Sequence, residues 1–338
     1  MAWTKLGSTT LSGAAANTSW KLLARGTGSG TTVDTGTFTA KDNIMVLGYS
    51  SNGTQYVRYN NDTGSNYANR RNEEGGTDSA QTSQTSISFT RNAGEDLFFV
   101  GDLVNIAAQE KLGVYQQVSQ NSAGAGNAPK RQEWAHKWAN TSDQITRVTM
   151  TSDSGNYSSD DEIVVLGYDN DEADSGTNFW QELASVESTG DNHTTGTFTA
   201  KKYLMVETCV IASGGECSQR LTFNDDTSSN YAARISFDGG SDSTQTNGSN
   251  INSGLNDNIP SGSIAKNTMF IINKSDKEKL AISHGVVSEA SGASTAPTRD
   301  ELVFKWANTS SQITKIDFDN NKAGDWASGS YIKVYGAD

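Results

Sequence analysis

Proline is nearly absent, with 3 in 338 residues, and cysteine and histidine are as rare, at 2 and 3. Two cysteines are too few for a disulfide scaffold. His136, His193 and His284 stand apart from one another and from the cysteines, so no His/Cys cluster has the spacing of a metal site. No apolar run reaches the ~18 residues of a membrane helix. Met1-Ala2-Trp3-Thr4-Lys5-Leu6-Gly7-Ser8 lacks the charged and apolar blocks of a signal peptide. Positive charge is short too: 26 Lys and Arg against 39 Asp and Glu leave a net charge of −13. Phosphate backbones and anionic bilayers are bound by clustered cations, so neither nucleic acid nor a membrane is an expected partner. The expectation is a soluble protein made in a cytoplasm.

What is present is the chemistry of strands and tight turns. With 33 Gly and so little Pro, turns fall to Gly, Asn, Asp and Ser. Apolar residues make up only 34%, but 11 Tyr, 11 Phe and 7 Trp, with abundant Thr, suit pleated, half-buried surfaces. Thr146, Val148 and Met150 alternate with Ile145, Arg147 and Thr149, the period of a strand with one apolar face. Further strands are expected at 97–104, 111–119, 131–138 and 163–168. Asn52-Gly53 between 44–49 and 56–59 predicts a hairpin. No window has a helical period.

The strongest feature is an internal duplication. Thr35-Gly36-Thr37-Phe38-Thr39-Ala40-Lys41 recurs from Thr195 to Lys201. Asp62-Thr63-Gly64-Ser65-Asn66-Tyr67-Ala68-Asn69-Arg70 recurs as Asp226-Thr227-Ser228-Ser229-Asn230-Tyr231-Ala232-Ala233-Arg234. Gly75-Gly76-Thr77-Asp78-Ser79 matches Gly239-Gly240-Ser241-Asp242-Ser243, and Lys137-Trp138-Ala139-Asn140-Thr141-Ser142 matches Lys305 to Ser310. The shift between copies grows in small steps, around residues 213–216 and 248–263, as insertions in surface loops do. The expected class is therefore all-β, with two tandem homologous β-sandwich domains in jelly-roll wiring, each of roughly eight strands. The boundaries are an N-terminal segment 1–19, a first module 20–170 and a second module 171–338. The segment 1–19 repeats the Trp-x-x-Leu start of both modules (Trp3, Trp20, Trp180) and is expected to dock as a strand, with Trp3 as anchor.

Catalysis finds no support. Asp34-Thr35-Gly36 and Asp62-Thr63-Gly64 look like aspartic-protease triplets, but both lie in the first copy, and Asp-Thr-Gly is also ordinary turn chemistry. No nucleophile elbow or phosphate loop is present, so no enzyme, cofactor or metal is expected. The acidic run 169–174 and the Asp62 and Asp226 loops offer oxygen ligands to calcium, yet no twelve-residue loop ends in Glu. Solvated turns are the simpler reading. Cys209 and Cys217 flank Ser213-Gly214-Gly215, which leaves a cross-strand bridge and two separate thiols both open. Tyr67 with Arg70, and Tyr231 with Arg234, suit a contact site because Tyr and Arg anchor interfaces; a turn entering a strand would use the same residues. Trp138 and Trp306 fit a sugar-stacking platform or, alternatively, a core plug.

As a set, Thr-Phe-Thr-Ala-Lys, Asp-Thr-x-Ser-Asn-Tyr-Ala-x-Arg, Gly-Gly-(Thr/Ser)-Asp-Ser and Lys-Trp-Ala-Asn-Thr-Ser-x-Gln-Ile-Thr resemble modules in structural proteins of tailed bacteriophages, especially marine ones. The resemblance covers both copies. It implies a non-enzymatic virion protein, a capsid decoration or tail-associated component that binds other virion proteins, as a homo-oligomer. The alternative is a receptor- or glycan-binding tail-fibre module.

Overall fold

The structure, a computed structural model, describes residues 20–52, 55–89, 94–170, 177–252, 258–289 and 292–338. The described residues form strands and no helix, and the chain is all-β. Twelve strands precede residue 170: β1 (Lys21–Ser29), β2 (Thr32–Asp34), β3 (Asn43–Ser50), β4 (Gln55–Tyr59), β5 (Tyr67–Glu73), β6 (Ser79–Gln84), β7 (Ile87–Phe89), β8 (Leu97–Val104), β9 (Lys111–Ser119), β10 (Lys130–Trp138), β11 (Val148–Ser152) and β12 (Glu162–Tyr168). Thirteen follow: β13 (Gln181–Glu187), β14 (Asn192–Thr194), β15 (Tyr203–Ser213), β16 (Arg220–Phe223), β17 (Tyr231–Phe237), β18 (Ser243–Gly248), β19 (Ile251–Asn252), β20 (Ile264–Ile272), β21 (Lys279–Val287), β22 (Thr298–Trp306), β23 (Ile316–Asp319), β24 (Asp325–Trp326) and β25 (Tyr331–Ala337).

In the second half the large sheet runs β13-β25-β15-β20-β21-β22-β17-β18, and a small sheet runs β14-β23-β16-β19. The first half repeats this strand for strand, as β1-β12-β3-β8-β9-β10-β5-β6 and β2-β11-β4-β7. Its two sheets join into one twelve-stranded path because β1 pairs with β12 along its length and with β2 at its end. Every pairing is antiparallel, and β24, attached to β15, has no counterpart. It meets the end of β15, which at eleven residues is longer than the eight of β3.

Alternation sets the layers. On β8, Leu97, Phe99 and Leu103 enter one apolar cluster with Val57, Tyr59, Trp134 and Trp138, between the large and small sheets of the first half. On β20 and β22, Met269, Ile271, Phe304 and Trp306 do the same in the second. Phe98 and Val100 point the other way and are still buried, in a third cluster with Tyr203, Ile272, Leu280, Ile282 and Val303. The two large sheets thus pack outer face to outer face. That explains why β3 reads as a nearly unbroken buried run, as strands covered on both faces do.

Two sequence expectations change. Each half has at least twelve strands where eight were expected: β6 and β18 are polar on both faces and carry no periodic signal, and β2, β7, β14 and β19 are only two or three residues long. The Asn52-Gly53 hairpin does not form: β3 pairs with β12 and β8, whereas β4 pairs with β11 and β7, so this connection passes between sheets. Residues 53 and 54 lie outside the described residues.

Candidate functional site

The repeated motifs turn out to be a set of polar staples. Asp62 accepts a hydrogen bond from the Trp138 Nε1–H at 2.7 Å and from the Asn66 amide at 2.8 Å; Asp226 does the same for Trp306 and Asn230, at 2.8 Å each. These donors hold both carboxyls below the usual range against the opposing pull of burial. The Tyr67 hydroxyl accepts the Tyr59 backbone N–H at 2.9 Å, and Tyr231 accepts that of Phe223 at 2.9 Å. Tyr67 and Tyr231 are almost fully buried, so neither serves as a contact surface. This corrects the interface reading for both tyrosines: the turn that enters the strand needs their hydroxyls inside. Trp138 and Trp306 are core plugs for the same reason, 1% exposed.

The arginines separate. Arg70 is exposed, with Asp78 at 3.9 Å as its ion-pair partner. Arg234 sits between the halves, donating from Nε to the Pro129 carbonyl at 2.9 Å, with Glu74 at 3.5 Å. The four predicted residues therefore form no common site, and Trp3 lies outside the described residues. Asp34 is held by Arg147, whose Nε–H reaches it at 2.9 Å, so the Asp-Thr-Gly triplet is a turn with a salt bridge. Cys209 and Cys217 are both free thiols: Cys209 lies within β15, and Cys217 bridges to Ile259. Among the described residues no group of three or more His, Cys, Asp or Glu is placed to hold a metal ion.

The charged groups that sequence reading missed lie in the seam between the large sheets. Arg131, 3% exposed, reaches Glu133 at 2.7 Å, Asp242 at 2.8 Å and Glu301 at 2.9 Å. Burial raises the Glu133 carboxyl, Arg131 opposes the rise and Glu301 adds to it. Lys305, fully buried, donates to the Gln120 and Ser122 carbonyls of the first half at 2.9 and 2.7 Å. Nothing in sequence separates Arg131 from Arg299, or Lys305 from Lys137, because the difference is made by which face the partner half covers.

Paired registers show how the halves meet. Val104 opposes Leu112 on β8 and β9, as Ile272 opposes Leu280 on β20 and β21; likewise Phe98–Val118 corresponds to Lys266–Val286. We call the Phe98–Val118 level end A and the Val104–Leu112 level end B. End A of the first half packs on end B of the second. Among the described residues nothing covers end B of the first half or end A of the second, and there Val104, Leu112, Val114 and Val286 are 49, 56, 53 and 42% exposed.

No family model and no curated protein matches the chain. Among solved structures, the mouse laminin alpha1 chain, domains LG4-5, is similar over 96% of this chain and 92% of its own, with 8% identity and a TM-score of 0.16. An acyl-CoA hydrolase from Agrobacterium tumefaciens is similar over 65% of this chain and 74% of its own, again with 8% identity and a TM-score of 0.16. Likeness this remote carries no argument about function.

Proposed function

We propose that this chain is a non-enzymatic structural protein of a bacteriophage particle, a capsid decoration or tail-associated component that binds other virion proteins through its sheet surfaces. Its fold would be two tandem homologous β-sandwich modules in jelly-roll wiring, residues 20–170 and 171–338. Strand order supports that wiring. The small sheet β2-β11-β4-β7 and the large-sheet run β1-β12-β3-β8 interleave as two four-stranded jelly-roll sheets do, and the hairpins β5-β6 and β9-β10 extend the large sheet. The wiring is shared by viral capsid and lectin domains, and fold alone does not choose between them.

The observation that carries the structural reading is how the repeated polar residues are used. Asn105 accepts the Ile145 N–H and donates to the Lys41 carbonyl, and Asn273 treats Ile313 and Lys201 identically. Repeated side chains bonded to their own turns rigidify a scaffold. Localisation in the virion, with synthesis in the host cytoplasm, follows from the same reading. Immunogold labelling of purified particles tests it: label on capsid or tail is expected, and label only on unassembled lysate protein overturns it. The N-terminal segment with Trp3 would dock the protein, so a chain beginning at Trp20 should fold but fail to incorporate.

The receptor-binding alternative draws on an open cleft of about 380 Å³ lined by Arg25, Asn178, Phe179, Gln181 and Lys201. Binding on a glycan array that is lost in Arg25→Ala would favour it.

A further inference from the structure

The seam inside the chain joins two unlike surfaces, and each of them has a homologous twin left open. End B of the second half, with Ile272, Leu280 and Ile282, is covered; its twin in the first half carries Val104, Leu112 and Val114. End A of the first half, with Phe98, Val100 and Val118, is covered; its twin in the second half carries Lys266, Thr268 and Val286, with Ile264 one step beyond. Seven large hydrophobic residues stand exposed among the described residues, and five of them (Val104, Leu112, Val114, Ile264 and Val286) lie on these two open ends. A solvated sheet face has no need of aliphatic residues concentrated there, whereas a face that is covered part of the time does.

We propose that copies of this chain associate head to tail, end B of the first half of one copy packing on end A of the second half of the next, in the geometry of the internal seam. The two ends carry charge of opposite sign. Asp102 lies beside Val114 on the first end, where Lys137, opposite Leu112, is paired with Glu110, and Lys266 and Arg299 flank Val286 on the second, Arg299 also reaching Glu301. Two copies of the first end facing each other would set Asp102 against Asp102. A contact between unlike surfaces is heterologous, so it closes into a ring or extends into an array according to the rotation per step. The two-module chain is then the repeat unit of an assembly whose first joint is already made covalently continuous. This association follows from the paired registers and is independent of the viral reading.

Sedimentation velocity across a concentration series tests it. The full chain is expected to form species larger than a monomer as concentration rises. Leu112→Lys and Val286→Lys, one on each end, should each be monomeric with unchanged circular dichroism. Mixed one to one they should form dimers and nothing larger, because the intact head of one meets the intact tail of the other and the two altered ends set lysine against lysine. Val114→Lys and Ile264→Lys serve as the second pair should either first variant fail to fold. A wild-type chain that stays monomeric overturns the proposal. So does a Val286→Lys variant that associates like wild type, which would mean a symmetric contact through the first end alone.

Discussion

Phe98 and Lys266 occupy the same place in two copies of one strand, each opposite a valine on the neighbouring strand. Phe98 is 1% exposed inside the seam, whereas Lys266 stands in solvent. The inner faces of the two halves share a set of anchors, with Tyr59, Tyr67 and Trp138 matched by Phe223, Tyr231 and Trp306, while Phe99, Tyr115 and Trp134 give way to buried Asn267, Ser283 and Leu302. The outer faces diverge where one is covered and the other is not. Each half therefore packs its interior around the shared anchors with its own filling residues, while its outer surface answers to whatever packs on it.

The comparison is broken most severely by exchanging the residues across it. Phe98→Lys places a charge in an apolar seam and should cost on the order of 5 kcal/mol, whereas Lys266→Phe should stay within about 0.5 kcal/mol in urea denaturation. Arg131 and Arg299 give the next contrast. Removing Arg131 takes the nearest cation from buried Asp242, leaving it only Arg234 at 4.0 Å, for a loss of about 3 kcal/mol, and Arg299→Ala, at an exposed site where Glu301 keeps Arg131, should lose less than about 1 kcal/mol by the same measurement. Trp138→Phe and Trp306→Phe each delete the N–H that serves an aspartate, and both should cost about 1–2 kcal/mol. Equal losses there would sharpen the contrast with the outer faces; unequal ones would weaken it.

The last effect is one of pH and is absent at neutrality. His136 is buried with its Nε2 2.8 Å from the Tyr59 hydroxyl, and burial pushes its pKa down to about 3. The folded state thus refuses a proton that the unfolded chain takes up near pH 6.5. The stability this represents is present above pH 6.5 and is lost as pH falls toward 3. The second half has Phe304 at this position, so His136→Phe should flatten the fall in melting temperature over that window, with the Tyr59 hydroxyl keeping its Tyr115 partner at 3.2 Å.

Sequence reading found what repeats and what alternates. Strands 97–104 and 111–119 coincide with β8 and β9 to the residue, because each is a short stretch of apolar and aromatic residues bounded by polar turns. The duplication located the staples but not their use: Asp62 and Trp138 are far apart in the chain, and only the fold shows that one answers the other. Tyr67 looked like an interface anchor because its residue type fits one. Its hydroxyl in fact closes a turn from inside. The seam was invisible because a strand buried on both faces loses the alternation that marks which side is which. Arg131 reads in sequence like any surface arginine.

One difference between the halves bears on how the molecule would come apart. Strand β1 belongs to both layers of the first half, while the layers of the second form separate hydrogen-bonded units. Prising the first pair of layers open strains the β1–β2 pairs Gly28–Val33 and Ser29–Thr32, where β1 runs from one layer into the other. The second pair can part like the covers of a book, held by side-chain adhesion and by the Gly190–Trp326 bridge. Under tension or mild denaturant the C-terminal small sheet would lift first, leaving the N-terminal half closed.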